Sequence, residues 1–270
     1  RAARDSIWPS GRIDWQFEYR PEDHDDTEKR FLGQTGNFNG EDIIDIITMH
    51  PATSWFIAGK LYNFFVSDTP NEEAIGFLAE EFRESSGDIR SVLRALFLSD
   101  YFKSEDVWYS RVKSPAELVV GTAKLAGSYQ TPQWDITNLA NDANFMGQEI
   151  LNPPTVEGWH TGAEWINSGS LMRRVNFTAE LVGDVSRPGI RNMVDRLIAK
   201  GDTSSDAVVA GCLDLMGPLE VNPESLVELN GFAAEGGDFS WDSAESIEKS
   251  TVRVSELLQL IVSLREYQYA

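Results

Sequence analysis

Imidazole and thiol groups are scarce in this 270-residue chain, with three histidines and one cysteine, so site chemistry must be sought at few positions. The densest cluster is Glu22-Asp23-His24-Asp25-Asp26-Thr27-Glu28, an imidazole set among carboxylates. Oxygen ligands gathered this way suit Ca²⁺ or Mg²⁺, and a histidine extends the choice to Zn²⁺ or Mn²⁺. His24 and Asp25 are therefore the candidates for a divalent cation. The run lacks the ligand spacing of an EF-hand, and a solvated acidic turn held by local hydrogen bonds accounts for the same residues. His50, before Pro51, sits at an expected helix start, where an imidazole accepts from a free backbone N–H. Its functional alternative is a general base facing His24 across a cleft, so His24, Asp25 and His50 form the catalytic candidate set.

A second constellation lies in Pro153–Asn167, where Pro153, Pro154, Gly158, Trp159, Gly162, Trp165 and Asn167 make a compact aromatic loop. Indole faces stack on apolar sugar faces and amides fix hydroxyls, so Trp159, Trp165, Asn167 and the nearby Arg174 are candidates for ligand binding, carbohydrate included. The competing reading has both tryptophans plug helix ends. His160 is expected to be exposed. Arg173-Arg174 and Lys113 either pair with carboxylates or receive an anion, and ion pairing is the expected outcome. No Gly-rich phosphate loop, Gly-x-Ser-x-Gly elbow or HExxH motif occurs. Cys212, inside the apolar run Ala207–Leu215, can form neither an intrachain disulfide nor a thiolate metal site, and reads as a small core residue.

These residues must be carried by helices. Ile43, Ile44 and Ile47 make a short apolar face before His50-Pro51, and a second helix follows over 52–66. Thr69-Pro70-Asn71-Glu72 predicts a capping box opening a helix with Ala74, Phe77, Leu78 and Phe82 on one side. Ser86-Gly87-Asp88 starts the next, where Ile89, Val92, Leu93, Leu96 and Phe97 keep helical spacing. Ser114-Pro115-Ala116-Glu117 opens another through Ala126. Further helices are expected over 135–146, from Ser170, around Ile190–Ile198, near 204–216 and 222–231, and along Val254–Ile261. Residues 232–245 read as an exposed acidic loop. Residues 1–40, with Trp8, Trp15, Phe17, Tyr19, Phe31 and Phe38, read as irregular and aromatic-anchored, with short strands around Trp15–Tyr19. The fold class is all-α, a multi-helix orthogonal bundle.

The net charge of −20 and pI near 4.5 exclude general nucleic-acid binding, because such a field repels phosphate backbones. They suit salty or extracellular surroundings, cations, or a basic partner. No apolar run reaches the roughly 18–20 residues of a membrane span. The opening Arg1-Ala2-Ala3-Arg4 reads as the middle of a longer polypeptide.

The chain resembles the bacterial family called domain of unknown function 1800. The stretches that carry the likeness are His24-Asp25 with Lys29 and Phe31-Leu32-Gly33, His50-Pro51-Ala52-Thr53, Lys60-Leu61-Tyr62 and Gly87-Asp88-Ile89-Arg90. They continue with Lys113-Ser114-Pro115, Glu117, Met146-Gly147-Gln148, Pro153-Pro154, Gly158-Trp159, Trp165-Ile166-Asn167, Arg174 and Asn176-Phe177. Departures are Asn63 for arginine, Thr27 for glycine and His160 for proline. The likeness covers about residues 10–182, and the family's opening half lies outside this chain. It implies a helical fold and export from a bacterial cell, and no established activity. Residues 1–185 are thus expected to be the C-terminal part of such a domain, and 186–270 a helical extension packing on it. The expected function is a scaffold or interaction subunit of a cell-surface or extracellular assembly, with protein partners that include the family's N-terminal half. The alternative is an extracellular hydrolase or carbohydrate-binding protein using His24, Asp25 and His50 with Trp159 and Trp165. No cofactor is specified beyond a divalent cation at His24 and Asp25, and whether the chain is an enzyme stays open.

Overall fold

The structure, a computed structural model, describes residues 2–7, 12–131, 133–217 and 219–270, with side chains from residue 18 onward. Trp8 and the side chains of Trp15 and Phe17, expected as aromatic anchors, lie outside the described residues and groups. The chain forms two compact units, Arg1–Tyr62 with Asn71–Ser99, and Asn63–Pro70 with Asp100–Ala270. The described residues are mainly helical, as the apolar periodicity requires, and none of their helices is long and apolar enough to cross a membrane.

The smaller unit begins with two hairpins. Strands β1 (Ala2–Ile7) and β2 (Arg12–Phe17) pair antiparallel with Ala2 opposite Phe17. β2 thus ends where the expected strand around Trp15–Tyr19 was to be centred. β3 (Lys29–Phe31) and β4 (Gln34–Gly36) join through Leu32-Gly33, both at positive φ (46° and 82°), the geometry of a two-residue hairpin turn. Helices α1 (Gly40–Thr48), α2 (Pro51–Phe65), α3 (Glu72–Glu84) and α4 (Ile89–Leu98) follow. The α3 cap is Asn71, two residues after the expected Thr69, because the Asn71 side chain accepts the Ala74 N–H at 3.0 Å. Asp88 caps α4 through the N–H groups of Arg90 and Ser91.

The buried stripes of this unit are narrower than the apolar patterns that predicted them. On α3, Ala74, Leu78 and Phe82 are buried and Phe77 is exposed; on α4, Val92 and Leu96 are buried while Ile89 and Phe97 are exposed. The buried residues keep mainly to i, i+4 spacing, with Ala79 beside Leu78 on α3, so apolar side chains at i+3 fall on the shoulder of the stripe.

The larger unit holds α5 (Asp100–Lys103), α6 (Pro115–Leu125), α7 (Thr137–Phe145), α8 (Ser168–Gly183), α9 (Pro188–Lys200), α10 (Ser205–Leu215), α11 (Pro223–Glu235) and α12 (Ala244–Ser263). The Ser114-Pro115-Ala116-Glu117 box forms as read, with Ser114 and Glu117 satisfying each other's backbone N–H groups. One core runs from α6 to the end of the chain, and α12 lies along α8. Val119, Val182, Ile190, Val208, Leu258 and Ile261 are fully or almost fully buried in it, so α9–α12 share the interior of α6–α8. Cys212 is also buried there, and burial pushes its thiol up to about 12, which makes it a packing group without thiolate reactivity.

The exposed loop expected over 232–245 is corrected in part: residues 236–243 form a largely exposed non-helical segment, but it starts later and is anchored. α11 continues to Glu235, and Phe239 is buried beneath the Arg253 guanidinium, 4.0 Å from its ring centre. The Trp241 indole donates to the Asp202 carbonyl at 2.8 Å. Two aromatic anchors outweigh the glycines and acids that made the segment look solvated.

The α6–α9 contact depends on bare backbone. A Cβ on Gly189 would stand 2.1 Å from the Leu125 carbonyl oxygen, and the Gly189 N–H donates to the Ala126 carbonyl at 3.0 Å. Gly121, on the exposed side of α6, has nothing within 4 Å of such a Cβ. In urea unfolding, Gly189→Ala should lose about 3 kcal/mol, the upper range for overpacking. Gly121→Ala should gain about 0.5–1 kcal/mol from helix propensity. Equal effects of the two would mean that the α6–α9 contact yields rather than resists.

Candidate functional site

In the smaller unit the histidines are engaged locally. His24 Nδ1 lies 2.9 Å from an Asp26 carboxylate oxygen and Nε2 3.3 Å from the Phe38 carbonyl, so the ring ties the acidic run to the segment before α1. The exposed Asp25 carboxylate accepts the Thr27 N–H at 2.9 Å, and this bond, with the Thr27 hydroxyl, holds its pKa below the usual value. Lys29 closes the turn onto the Asp25 and Thr27 carbonyls. His50 Nδ1 accepts the Ala52 N–H at 3.1 Å, which fits its reading as a helix-start group. Among the described residues no group of three or more His, Cys, Asp or Glu is placed to hold a metal ion.

In the larger unit the aromatic loop borders a hollow of about 260 Å³, lined by Trp159, Trp165, His160, Arg111, Glu117 and Gln148 among others. The loop is held by a close approach. Gly162 is buried at φ +61°, and a Cβ there would stand 3.1 Å from the Asp68 carboxyl carbon. Asp68 in turn accepts the Val112 N–H at 2.7 Å. Trp165 is buried, and the part-buried Trp159 donates its indole N–H to the Glu149 carbonyl at 3.1 Å. Gln148 accepts the Ala116 N–H at 2.8 Å, while Glu117 accepts the Ser114 N–H at 2.7 Å and meets Arg111 at 3.3 Å. Asn167 caps α8 by accepting the Gly169 and Ser170 N–H groups. His160 is exposed and pairs with Glu164 at 2.7 Å. Trp159 and Trp165 thus share a hollow, and the polar groups that would fix a ligand beside them are bonded to the fold.

In the same unit lies the most confined charge among the described residues. Arg174, on α8, has no exposed surface. Its Nε donates to Gln268 Oε1 at 2.9 Å and Nη2 to the Lys113 carbonyl at 2.7 Å, while Nη1 finds no acceptor among the described residues. The expected ion pairing holds for Arg173, which meets Asp142, and is corrected for Arg174, whose acceptors are neutral. Lys113 donates to the Tyr267 carbonyl at 2.8 Å and sits 4.4 Å over the Tyr267 ring. Burial first, and then the Arg174 charge, push the Lys113 amine down to about 8, with Glu117 opposing. Burial takes the Arg174 guanidinium down to about 10, again against Glu117. The segment after α12 closes this region by pairing with residues 111–113: Lys113 N–H donates to the Gln268 carbonyl at 2.9 Å and Ala270 N–H to the Arg111 carbonyl at 2.7 Å.

A lysine near pKa 8 approaches the range in which amines move protons at mild pH. The hollow it borders with Glu117, Met216 and Tyr267 holds only about 170 Å³, below the usual size of a ligand pocket. Sequence reading passed over Asp68, Tyr267 and Gln268 as site residues. Gln268 offers no motif, since it meets Arg174 across 94 positions of sequence.

A family model described as "Protein of unknown function (DUF1800)" matches residues 8–269, so the match runs past the stretches up to residue 182 and takes in α9–α12. No curated protein and no solved structure matches the chain.

Lys113 carries a pH signature. Its folded pKa of about 8 lies below the ordinary 10.5, so the folded chain releases this proton first while the unfolded chain keeps it. Stability therefore rises as pH climbs above 8, by about 1.36 kcal/mol per unit, or ~2 kcal/mol by pH 9.5. In urea unfolding at pH 7.5 and 9.5, wild type should gain roughly 1–2 kcal/mol on Lys113→Met across that interval. A wild-type-to-variant difference that does not change with pH would contradict a desolvated amine.

Proposed function

This chain belongs to the DUF1800 family, and from that premise we propose that it is an exported helical subunit that docks a protein partner through apolar side chains at the α1–α2 corner. The carrying observation is exposure in residues 44–56 of the smaller unit. Ile44 (63%), Met49 (66%) and Phe56 (62%) are largely open to solvent, with Ile47 and Trp55 close to half exposed. Apolar side chains concentrated this way mark interaction surfaces, whereas single exposed ones need no explanation.

Charge narrows the partner. Glu41 lies one turn before Ile44 on α1, and the whole chain carries −20. A second copy would bring the same charge and be repelled, while a basic amphipathic segment would be steered in and would cover the apolar groups. Export rests on the family resemblance, and the acidic balance suits it. The hydrolase alternative gains less support, because His24, His50, Glu117 and Gln148 all hold backbone groups.

Lys60 is a built-in reporter, its amine 5.6 Å from the Phe56 ring centre. In cells producing the full chain, amine cross-linking with mass spectrometry should join Lys60 to a different, basic protein outside the cytoplasm. Phe56→Ser should cut that yield about fivefold, as for an interface residue worth ~1 kcal/mol. Links from Lys60 confined to this chain, or a yield indifferent to the substitution, would refute the reading.

A further inference from the structure

A second hollow in the larger unit, of about 570 Å³, has a different character from the one beside Trp159. It lies between the turn after α6, the start of α7, the outer face of α8 and the start of α9, and its walls include Tyr129, Gln130, Asn138, Asn176 and Glu180. Its volume falls in the range of small-molecule sites. Among the described residues, no side-chain hydrogen bond engages Gln130, Gln133, Asn138, Asn176 or Glu180, in contrast to the bonded polar groups of the aromatic loop.

We propose that this hollow binds a neutral oligosaccharide. Each open amide offers both a carbonyl acceptor and N–H donors, and a sugar hydroxyl likewise donates and accepts, so the two sets satisfy one another. Other ligand classes match less well. The arginines of the hollow are already paired, Arg173 with Asp142, and Arg187 with Asp184 at 3.3 Å and with the Ser128 hydroxyl at 2.8 Å. Arg173 and Arg187 each already face a carboxylate, although Arg187 Nε has no hydrogen-bond acceptor among the described residues, and Glu180 and Asp135 repel an anion. Among the described residues a metal ion lacks its ligand group, and a polyamine could not use the amide donors.

Two aromatic residues stand in or beside the hollow. Tyr129 forms part of the wall at φ +58°, a left-handed backbone that a bulky residue adopts only when its surroundings impose it. Its hydroxyl donates to Asp135 at 3.4 Å. Trp134, next in sequence to the lining residues Gln133 and Asp135, is fully exposed and does not itself line the hollow, so its indole is open to stack on the apolar face of a pyranose that extends past the rim.

The test titrates the full chain with cellopentaose, xylopentaose, mannopentaose and chitopentaose, read by calorimetry and tryptophan fluorescence, with spermine as the basic comparator. At least one pentaose should bind saturably with a Kd of about 1 mM or tighter. Asn176→Ala and Glu180→Gln should each weaken it about tenfold, roughly the effect of one lost hydrogen bond, while circular dichroism and melting temperature stay at wild-type values. Trp134→Ala should lose both affinity and the fluorescence change, and Trp159→Ala should bind like wild type. The proposal fails if no pentaose saturates, if spermine alone binds, if Asn176→Ala and Glu180→Gln bind as wild type, or if Trp159→Ala abolishes binding.

Discussion

A guanidinium without exposed surface must find its hydrogen-bond acceptors inside the protein, and the larger unit is arranged around that requirement at Arg174. Its donors reach the Lys113 carbonyl at the entrance to α6 and the Gln268 side chain after α12, so one side chain on α8 joins three stretches distant in sequence. Gln268 is held in turn by donating to the Val262 carbonyl at 3.1 Å, and the backbone pairing of 111–113 with the last residues follows from the same placement. Leaving a buried charged donor without its acceptor costs on the order of 1–3 kcal/mol or more, whereas exposed ion pairs such as Lys249–Glu245 contribute about 0–1 kcal/mol. The confined charge therefore dominates the surface pairs in deciding how the larger unit closes.

The same confinement explains the lowered Lys113 pKa. Two cations share a region in which Glu117 is the carboxylate that favours both, and Glu117 is at the same time the capping partner of Ser114. A helix-start motif thus doubles as the counter-charge of a buried basic pair. That dual use accounts for bonded, unavailable polar atoms around the Trp159–Trp165 hollow. It also separates that hollow from the one near Tyr129, where the amides have no such structural duty.

The two units balance apolar material differently. In the larger one, α8 and α12 bury wide faces against a shared core. In the smaller one, the buried stripes are narrow, and Ile44, Met49 and Phe56 stay in water. Burying a large apolar side chain gives roughly 1.5–3 kcal/mol, so such exposure represents stabilisation the chain does not draw from its own fold.

Helix identity and order were legible in the residues themselves, because apolar spacing and the caps at Ser114 and Asp88 act within a few positions of sequence. The helical class, the core role of Cys212 and of Val254–Ile261, the end of α6 and the family likeness follow from such local signals. Which apolar shoulders stay exposed was not legible, since Phe77 and Leu78 differ only in what neighbouring helices cover. Nor was the Phe239 anchor, whose partner Arg253 comes from the next helix. Candidate sites divided in the same way. The histidines' helix-start and turn bonds are local, but Arg174 with Gln268, Asp68 with Val112, and the polar hollow between α6, α7, α8 and α9 exist only once distant segments meet. Periodicity reports the direction a side chain takes from its own helix, and only the packed chain decides what stands opposite it.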